Sequence, residues 1–189
     1  MTNSYTTLWT QGRCRYLRDT GYGGKRLSTL IASGHQSLPS FLSAGLQPGD
    51  HIFPVSVTKG RIRVLGRLEV VRSVSLLHYQ TPEKMLTPEE HERFLDWYPG
   101  GLEGCAREIL VGTAGTPLDF ETVVPPTMLE RLTYTSRRGE RTLKYVEDGL
   151  LKRFVSLQGV YRLAAGSAAE MHALVRDAAD RVGPDPRTA

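Results

Sequence analysis

The clearest hydrophobic pattern lies in residues 61–74, where apolar residues alternate with charged ones. One face carries Ile62, Val64, Leu68 and Val70, and the other carries Arg61, Arg63, Arg67 and Glu69. Alternation of this kind is typical of a strand that is buried on one side. Residues 52–57 form a second apolar run, and Thr58-Lys59-Gly60 between the two predicts a reversal. We therefore predict an antiparallel hairpin with one face in the core and a cationic face outside.

The other predicted strands are short, and most of the predicted helices have recognisable N-terminal signals. Residues 11–34 are rich in Gly, Arg and Tyr and show neither the helical nor the strand period of apolar residues. We therefore predict a long loop there, of the kind that often functions in binding. We predict strands at residues 5–9, 141–146, 150–154 and 158–163, and helices at residues 37–44, 88–97, 125–132 and 167–182. Capping boxes, Thr87 with Glu90 and Ser167 with Glu170, open the second and fourth of these helices.

The pattern as a whole predicts one α+β domain, mainly β, over residues 1–182, with a flexible C-terminal tail at 183–189. The chain has 189 residues, 40% of them hydrophobic, which suffices for one core. Strands and long helices do not alternate, so a doubly wound fold is excluded. We expect a bent antiparallel sheet or β-barrel with short peripheral helices and a C-terminal helix.

Charge is distributed in blocks, although the whole chain carries only +4. Residues 1–75 carry a net +7, residues 76–135 carry −6, and residues 136–165 carry +4. Two basic blocks therefore flank an acidic one. If the basic blocks meet in the fold, they form a face suited to phosphates, and if they do not, they are ordinary solvated surface.

Several kinds of chemistry have no support in the residues. The two cysteines and five histidines lack metal-ligand spacing, so we expect neither a metal nor another cofactor. The run from Asp19 to Arg26 resembles a phosphate-binding loop but lacks its first glycine and its final Ser or Thr. No apolar run approaches the roughly 20 residues of a membrane span, and the first twelve residues lack a secretory signal pattern, so we expect a cytoplasmic protein with no membrane partner.

Candidate binding residues are aromatic side chains near the predicted loops and cations beside the glycines and on the strands. Each aromatic fits a core position as well as a base-stacking one: Trp9, Tyr16, Tyr22, Trp97 and Tyr98. The candidate phosphate ligands are Arg13, Lys25, Arg26, Arg61, Arg63, Arg67, Arg137, Arg138 and Lys144.

Several segments resemble the PUA-like superfamily, which contains the PUA, ASCH, EVE and YTH modules. Residues 46–55 (LQPGDHIFPV) followed by residues 64–70 (VLGRLEV) look like the central hairpin of these domains. Val124-Pro125 and the later run 159–163 (GVYRL) before a closing helix are similar to the second half of EVE-type members. The resemblance implies a β-pseudobarrel over most of residues 5–182.

This resemblance also implies a function, which is the binding of a nucleobase, often a modified one, in a concave pocket. Aromatic side chains cage the base in EVE and YTH relatives, while cations hold the backbone of RNA or DNA. Trp9, Tyr16 and Tyr22 fall where such a pocket would open, but a clean YTH aromatic trio is missing. We expect a nucleic-acid or modified-nucleotide partner, with RNA or DNA and the oligomeric state left open.

ASCH relatives supply an alternative, an amidohydrolase acting on acylated cytidine or a nuclease acting on modified nucleosides or RNA. Lys25, Ser28 and Glu69 follow the order of the ASCH lysine, hydroxyl and acid. Arg26 next to Lys25 would favour the neutral amine that a base requires. The family's signature places an acid three residues after the lysine, where this chain has Ser28. A role in protein interaction is the third reading of the sequence.

Overall fold

The computed structural model describes residues 2–32, 40–76, 80–101, 106–113, 115–136 and 138–182. Within these ranges the strands are β1 (Ser4–Leu8), β2 (Thr29–Ala32), β3 (His51–Thr58), β4 (Arg61–Val64), β5 (Leu68–Ser75), β6 (Glu108–Gly112), β7 (Thr133–Ser136), β8 (Gly139–Thr142), β9 (Val146–Glu147), β10 (Leu150–Leu151) and β11 (Tyr161–Leu163). The helices are α1 (Gln11–Asp19), α2 (Pro82–Met85), α3 (Pro88–Trp97), α4 (Pro126–Arg131) and α5 (Ala165–Val182), with a 3-10 helix at Phe154–Leu157. None of the described helices is long and apolar enough to cross a membrane.

Nine of these strands form one mixed sheet. Its order is β2-β6-β5-β3-β1-β11-β7-β8, with β4 also paired to β3, while β9 and β10 pair separately. The α+β, strand-rich prediction is confirmed. The pair β1 and β3 runs parallel, whereas the other pairs are antiparallel as predicted. The order of strands has two free ends among the described residues, so the predicted barrel closure is not part of the observed sheet.

The predicted central hairpin is present, but its second strand is divided. Val55 pairs with Val64 across β3 and β4, and Ile52 pairs with Leu68 across β3 and β5. The predicted core face is confirmed, because Ile62, Val64, Leu68 and Val70 are all at most 1% exposed. The single strand over 61–74 is wrong.

The interruption between β4 and β5 arises because the chain there bonds to another segment. The Arg67 N–H donates to Thr116 Oγ1 at 2.8 Å, and the Asp119 N–H donates to Leu65 O at 2.9 Å. A Cβ on Gly66 would lie 3.2 Å from Thr116 Oγ1. A residue without a side chain therefore permits this close approach.

The predicted loop over residues 11–34 is wrong, because it contains α1 and β2. Thr10 caps α1, since its side chain accepts a hydrogen bond from the Arg13 N–H at 3.2 Å. Only Cys14 and Leu17 of this helix are buried, which leaves too few apolar positions for a visible helical period. β2 pairs with β6 from Thr29↔Val111 to Ala32↔Glu108.

Three of the four predicted helices are confirmed as α3, α4 and α5. The capping box of Thr87 and Glu90 is present at α3. The second box is wrong, because α5 begins at Ala165 and the Ser167 hydroxyl accepts from the Thr133 N–H at 2.9 Å. Of the helix predicted at 37–44, residues 37–39 lie outside the described ranges and residues 41–44 form a turn. The tail at 183–189 also lies outside them.

The predicted strands of the second half are shorter than expected. The turn at residues 147–150 joins only the two-residue strands β9 and β10, because Arg141 and Thr142 belong to β8 and pair with β7. Phe154 lies in the 3-10 helix, and the last strand, predicted at 158–163, is the three-residue β11.

Two clusters of buried side chains fill the interior. The first includes Leu17 of α1, Phe94 of α3 and Ile109 of β6, and the second includes Ile62 of β4 and Val175 of α5. Burial of each such side chain contributes about 1.5–3 kcal/mol. The first cluster fixes α1 and the end of α3, which form the candidate site.

Candidate functional site

Three cavities surround α1; Gln11 lines two of them, and each of the helix's other lining residues lines one. At 100° per residue, Gly12, Arg13 and Tyr16 fall on one side of α1, and Cys14, Arg15 and Arg18 fall on the opposite side. One cavity opens on each side, and the third lies at the N-terminal end of the helix.

The aromatic cavity lies between α1 and the end of α3 and has a volume of about 350 Å³. Its lining residues are Thr10, Gly12, Arg13, Tyr16, Trp97, Tyr98, Pro99 and Gly100. Trp97 and Tyr98 are 2% exposed, whereas Tyr16 leaves 49% of its surface in solvent. The cavity therefore has fixed aromatic walls and one aromatic ring exposed at its edge.

Arg13 stacks between two aromatic rings beside this cavity. Its Cζ lies 4.6 Å from the ring centroid of Trp9 and 4.4 Å from that of Tyr98. Its Nε and Nη2 are buried and have no hydrogen-bond partner. Buried N–H groups without hydrogen-bond partners are costly, each by about 1–3 kcal/mol.

The end of α3 is held from behind by Tyr22 and Lys25. The ring centroids of Tyr22 and Trp97 are 5.1 Å apart, and the Tyr22 hydroxyl donates to Asp96 O. Lys25 Nζ forms an ion pair with the Asp96 carboxylate and lies 4.6 Å from the Tyr22 ring centroid. These contacts fix the backbone that carries Trp97 and Tyr98.

The cationic cavity lies on the other side of α1 and has a volume of about 250 Å³. Its lining residues are Gln11, Cys14, Arg15, Arg18, Ser56, Thr58, Arg63, Leu65, Phe120 and Glu121. Arg63 Nε is buried without a partner, and Arg18 pairs with Glu121 at 3.2 Å in an exposed contact. Burial raises the pKa of the Cys14 thiol, which therefore lacks the thiolate character of a nucleophile.

The apolar cavity, at the N-terminal end of α1, is the largest of the three at about 530 Å³. Its lining residues are Thr7, Leu8, Trp9, Thr10, Gln11, Val57, Lys59, Gly60, Leu151, Lys152, Phe154, Leu157, Gln158 and Gly159. Trp9, a predicted base-binding residue, lies between this cavity and Arg13.

The structure brings the predicted aromatic residues together and separates the predicted cations. Tyr16, Trp97 and Tyr98 line one cavity, and Tyr22 and Trp9 lie next to it. The cations have different surroundings. Arg13 lines the aromatic cavity, and Arg63 lines the cationic cavity. Lys25 pairs with Asp96, Arg26 donates to Gly115 O, and Arg67 contacts His172. The exposed cations are Arg61, Arg138 and Lys144. Arg137 lies outside the described residues.

The residues of the hydrolase alternative, Lys25, Ser28 and Glu69, each contact a different residue. Lys25 pairs with Asp96, whereas Glu69 Oε2 lies 3.6 Å from His51 Nε2. The Ser28 carbonyl accepts from the Gly112 N–H at 2.9 Å. No group of three or more His, Cys, Asp or Glu side chains in the described ranges could hold a metal ion.

Ser4 and His172 are in contact, but the direction of their hydrogen bond is opposite to that between a catalytic serine and its histidine base. Ser4 Oγ lies 3.2 Å from His172 Nε2, and Arg67 Nη1 lies 3.3 Å from His172 Nδ1. A guanidinium only donates, so Nδ1 accepts and Nε2–H donates to the serine. His172 therefore cannot take the serine proton. Burial, with His51 and Arg67 nearby, lowers the pKa of His172 to about 4.

Comparison with known proteins gives no family for this chain: it matches no protein-family model and no curated protein.

Sequence reasoning missed both the cationic cavity as a unit and the apolar cavity. Both depend on α1, which was predicted as a loop. One signal for the start of α1 was available. Thr10 is a residue type that often caps helices, and the residues that follow Gly12 up to Asp19 contain neither Gly nor Pro.

Proposed function

We propose that this protein is a nucleobase-binding module of the PUA-like type, which takes a base of RNA or DNA, or of a nucleotide, into the aromatic cavity. The observation that carries the proposal is the wall formed by Tyr16, Trp97 and Tyr98 around about 350 Å³. Tyr16 is about half exposed, so a base stacked on it would remove apolar surface from water.

Arg13 supports the proposal because it offers donors that the protein leaves unused. Its buried Nε and Nη2 lack partners, and the carbonyl oxygens and ring nitrogens of a base are acceptors. Trp9 and Tyr98 hold the guanidinium in place from the two stacking contacts. The proposal covers ordinary and modified bases alike.

Cations on the opposite side of α1 support the binding of phosphates. Arg15 is exposed, Arg63 has a buried nitrogen without a partner, and the exposed pair of Arg18 with Glu121 is weak. An α-helix with its side chains is about 10–12 Å across, so a short stretch of RNA or DNA that crosses α1 can reach both the aromatic and the cationic cavity. Binding through these charges should weaken as salt is added.

The test is fluorescence anisotropy with labelled single-stranded RNA and DNA oligomers of mixed sequence at two salt concentrations. Stacking on one aromatic ring contributes about 1–3 kcal/mol, so Tyr16→Ala should weaken binding about 5- to 150-fold. Tyr16→Phe keeps the ring and should bind like the parent protein. A panel of modified nucleosides, screened by thermal stabilisation, then identifies the preferred base.

Tyr145→Ala is the matched control. Tyr145 is 45% exposed, similar to Tyr16, and its ring contacts Arg153 rather than the aromatic cavity. Its removal should leave binding unchanged. The proposal fails if neither RNA nor DNA nor any nucleoside binds, or if Tyr16→Ala and Tyr145→Ala have equal effects.

A further inference from the structure

The apolar cavity has the dimensions and lining of a small-molecule site that the base-binding proposal does not use. Its volume of about 530 Å³ lies within the range of ligand pockets in proteins. The end of β1, the β3–β4 turn, β10 and the 3-10 helix enclose it. Leu8, Val57 and Leu157 contribute to its walls, and Phe154, which is 56% exposed, leaves a large apolar surface open to solvent.

Polar groups in the wall are partly occupied by the protein itself. Gln11 Nε2 donates to Val57 O at 2.7 Å, and Thr10 Oγ1 accepts from the Arg13 N–H at 3.2 Å. Because these groups already have partners, they favour a ligand whose body is apolar.

Charge at the cavity has one sign. Lys59 and Lys152 both line it, and none of its lining residues is Asp or Glu. Among the described ion pairs, neither lysine takes part. The cavity is therefore complementary to an anionic group beside an apolar body.

The two lysines are held near each other by the backbone. The Leu151 N–H donates to Gly60 O at 2.8 Å, which joins the residues next to Lys59 and Lys152. A Cβ on Gly60 would lie 3.3 Å from Leu151 O, so glycine permits this approach. The Lys152 N–H donates to Tyr145 O at 2.8 Å and fixes the other side.

We propose that the apolar cavity binds a small monocarboxylic acid with an apolar body, such as a medium-chain fatty acid or an aromatic acid. The chain or ring lies against Trp9, Leu157 and Phe154, and the carboxylate lies between Lys59 and Lys152. This site adjoins the aromatic cavity at Thr10, but Lys59, Lys152 and Phe154 line only the apolar cavity, so variants at these residues test it apart from base binding.

The test measures binding of decanoate and 2-naphthoate by calorimetry and by thermal stabilisation, below the concentration at which decanoate forms micelles. Decanol and decylamine serve as neutral and cationic analogues. Decanoate should bind more tightly than decanol, and decylamine should bind least. The double variant Lys59→Gln with Lys152→Gln should weaken decanoate binding about fivefold and leave decanol binding unchanged.

Two controls match these variants. Lys84→Gln with Lys144→Gln removes the same charge outside the cavity and should leave decanoate binding unchanged. Phe154→Ala should weaken both decanoate and decanol, whereas Val155→Ala, at a neighbouring residue that is 52% exposed and outside the lining, should weaken neither.

The proposal is overturned if no carboxylate binds saturably, if the lysine variants and their controls behave alike, or if decylamine binds as tightly as decanoate. Competition by a nucleoside monophosphate that displaces decanoate and binds more tightly would also overturn it, because the cavity would then be a nucleotide site.

Discussion

The loop over residues 40–50 and the surroundings of α1 bury charged groups in opposite ways. Near the loop, Asp50 accepts from the N–H groups of Asn3 and Gln47 at 2.7 and 2.9 Å. Glu108 accepts from the Ser40 hydroxyl and from the Phe41 N–H at 2.9 Å. Each carboxylate thus finds its donors within the chain.

Around α1, buried guanidinium nitrogens have no such partners. Arg13 contributes two of them and Arg63 contributes one, and both side chains border a cavity. The difference separates two uses of buried charge. A carboxylate surrounded by backbone donors holds a loop in place, whereas under the proposed function the guanidinium groups at the cavities would receive their acceptors from a ligand.

The largest effect that this comparison predicts is on stability, at Glu108. Replacing it by Ala would leave the buried Phe41 N–H and the half-buried Ser40 hydroxyl without their acceptor. Each lost bond of this kind costs about 1–3 kcal/mol, so Glu108→Ala should lower the free energy of unfolding by about 3 kcal/mol or more. Urea denaturation measures the change.

Glu140→Ala serves as the control, because Glu140 is an exposed carboxylate on β8, and its loss should change stability by less than about 0.5 kcal/mol. Glu108→Gln keeps one acceptor oxygen and should fall between the two. Equal stability of the Glu108 and Glu140 variants would contradict the assignment of Glu108 as an anchor.

The turn in the loop over residues 40–50 could be predicted from the sequence, whereas the cavity beside α1 could not. The Pro48-Gly49-Asp50 turn was predicted from local residue preferences, and the structure has it with Gly49 at φ 88°. The aromatic cavity instead joins residues 10–16 to residues 97–100, and no local pattern states which distant segments meet. The structure places the aromatic candidates near one another, and their binding of a base stays a prediction.

Two similar sequence signals also had different outcomes for a tertiary reason. Thr87 with Glu90 forms a capping box, whereas Ser167 with Glu170 does not. The Ser167 hydroxyl bonds to the Thr133 N–H, and Glu170 pairs with Arg131 at 2.8 Å. Partners from β7 and α4 replaced the local ones, and such competition is not readable from the helix alone.

An intermediate effect is expected at His172, whose hydrogen bonds suit only the neutral ring. Protonation would place an N–H at Nδ1 facing the Arg67 guanidinium, which is also a donor, and would add positive charge beside His51. The nearby Glu69 carboxylate is already paired with His51. The pKa of His172 is about 4 in the folded protein against an ordinary value near 6.5. The unfolded chain therefore binds the proton more readily, and stability should fall as pH drops from about 6.5 to 4.

Titration of the imidazole by NMR checks this directly and should give a midpoint near 4 for His172. His172→Gln, whose amide can accept from Arg67 and donate to Ser4, should reduce the slope of stability against pH in that interval. Burial also lowers the pKa of His51, so part of the slope should persist in the variant. A His172 midpoint near 6.5 would contradict the hydrogen-bonding scheme.

The smallest effect on stability is expected at Arg13, where the comparison is sharpest. Arg13→Met keeps an unbranched side chain between Trp9 and Tyr98 and replaces the cation–π contacts by sulfur–aromatic ones. The lost contacts are each worth about 0.5–1 kcal/mol, and removal of two buried N–H groups without partners offsets them. The free energy of unfolding should change by less than about 1 kcal/mol, while affinity for RNA or DNA oligomers should fall because a ligand loses its donors. Urea denaturation and anisotropy on the same preparation measure both.

If Arg13→Met destabilises the protein as much as Glu108→Ala does and leaves binding unchanged, Arg13 stabilises the fold as the carboxylates do, and the distinction between the two regions is wrong.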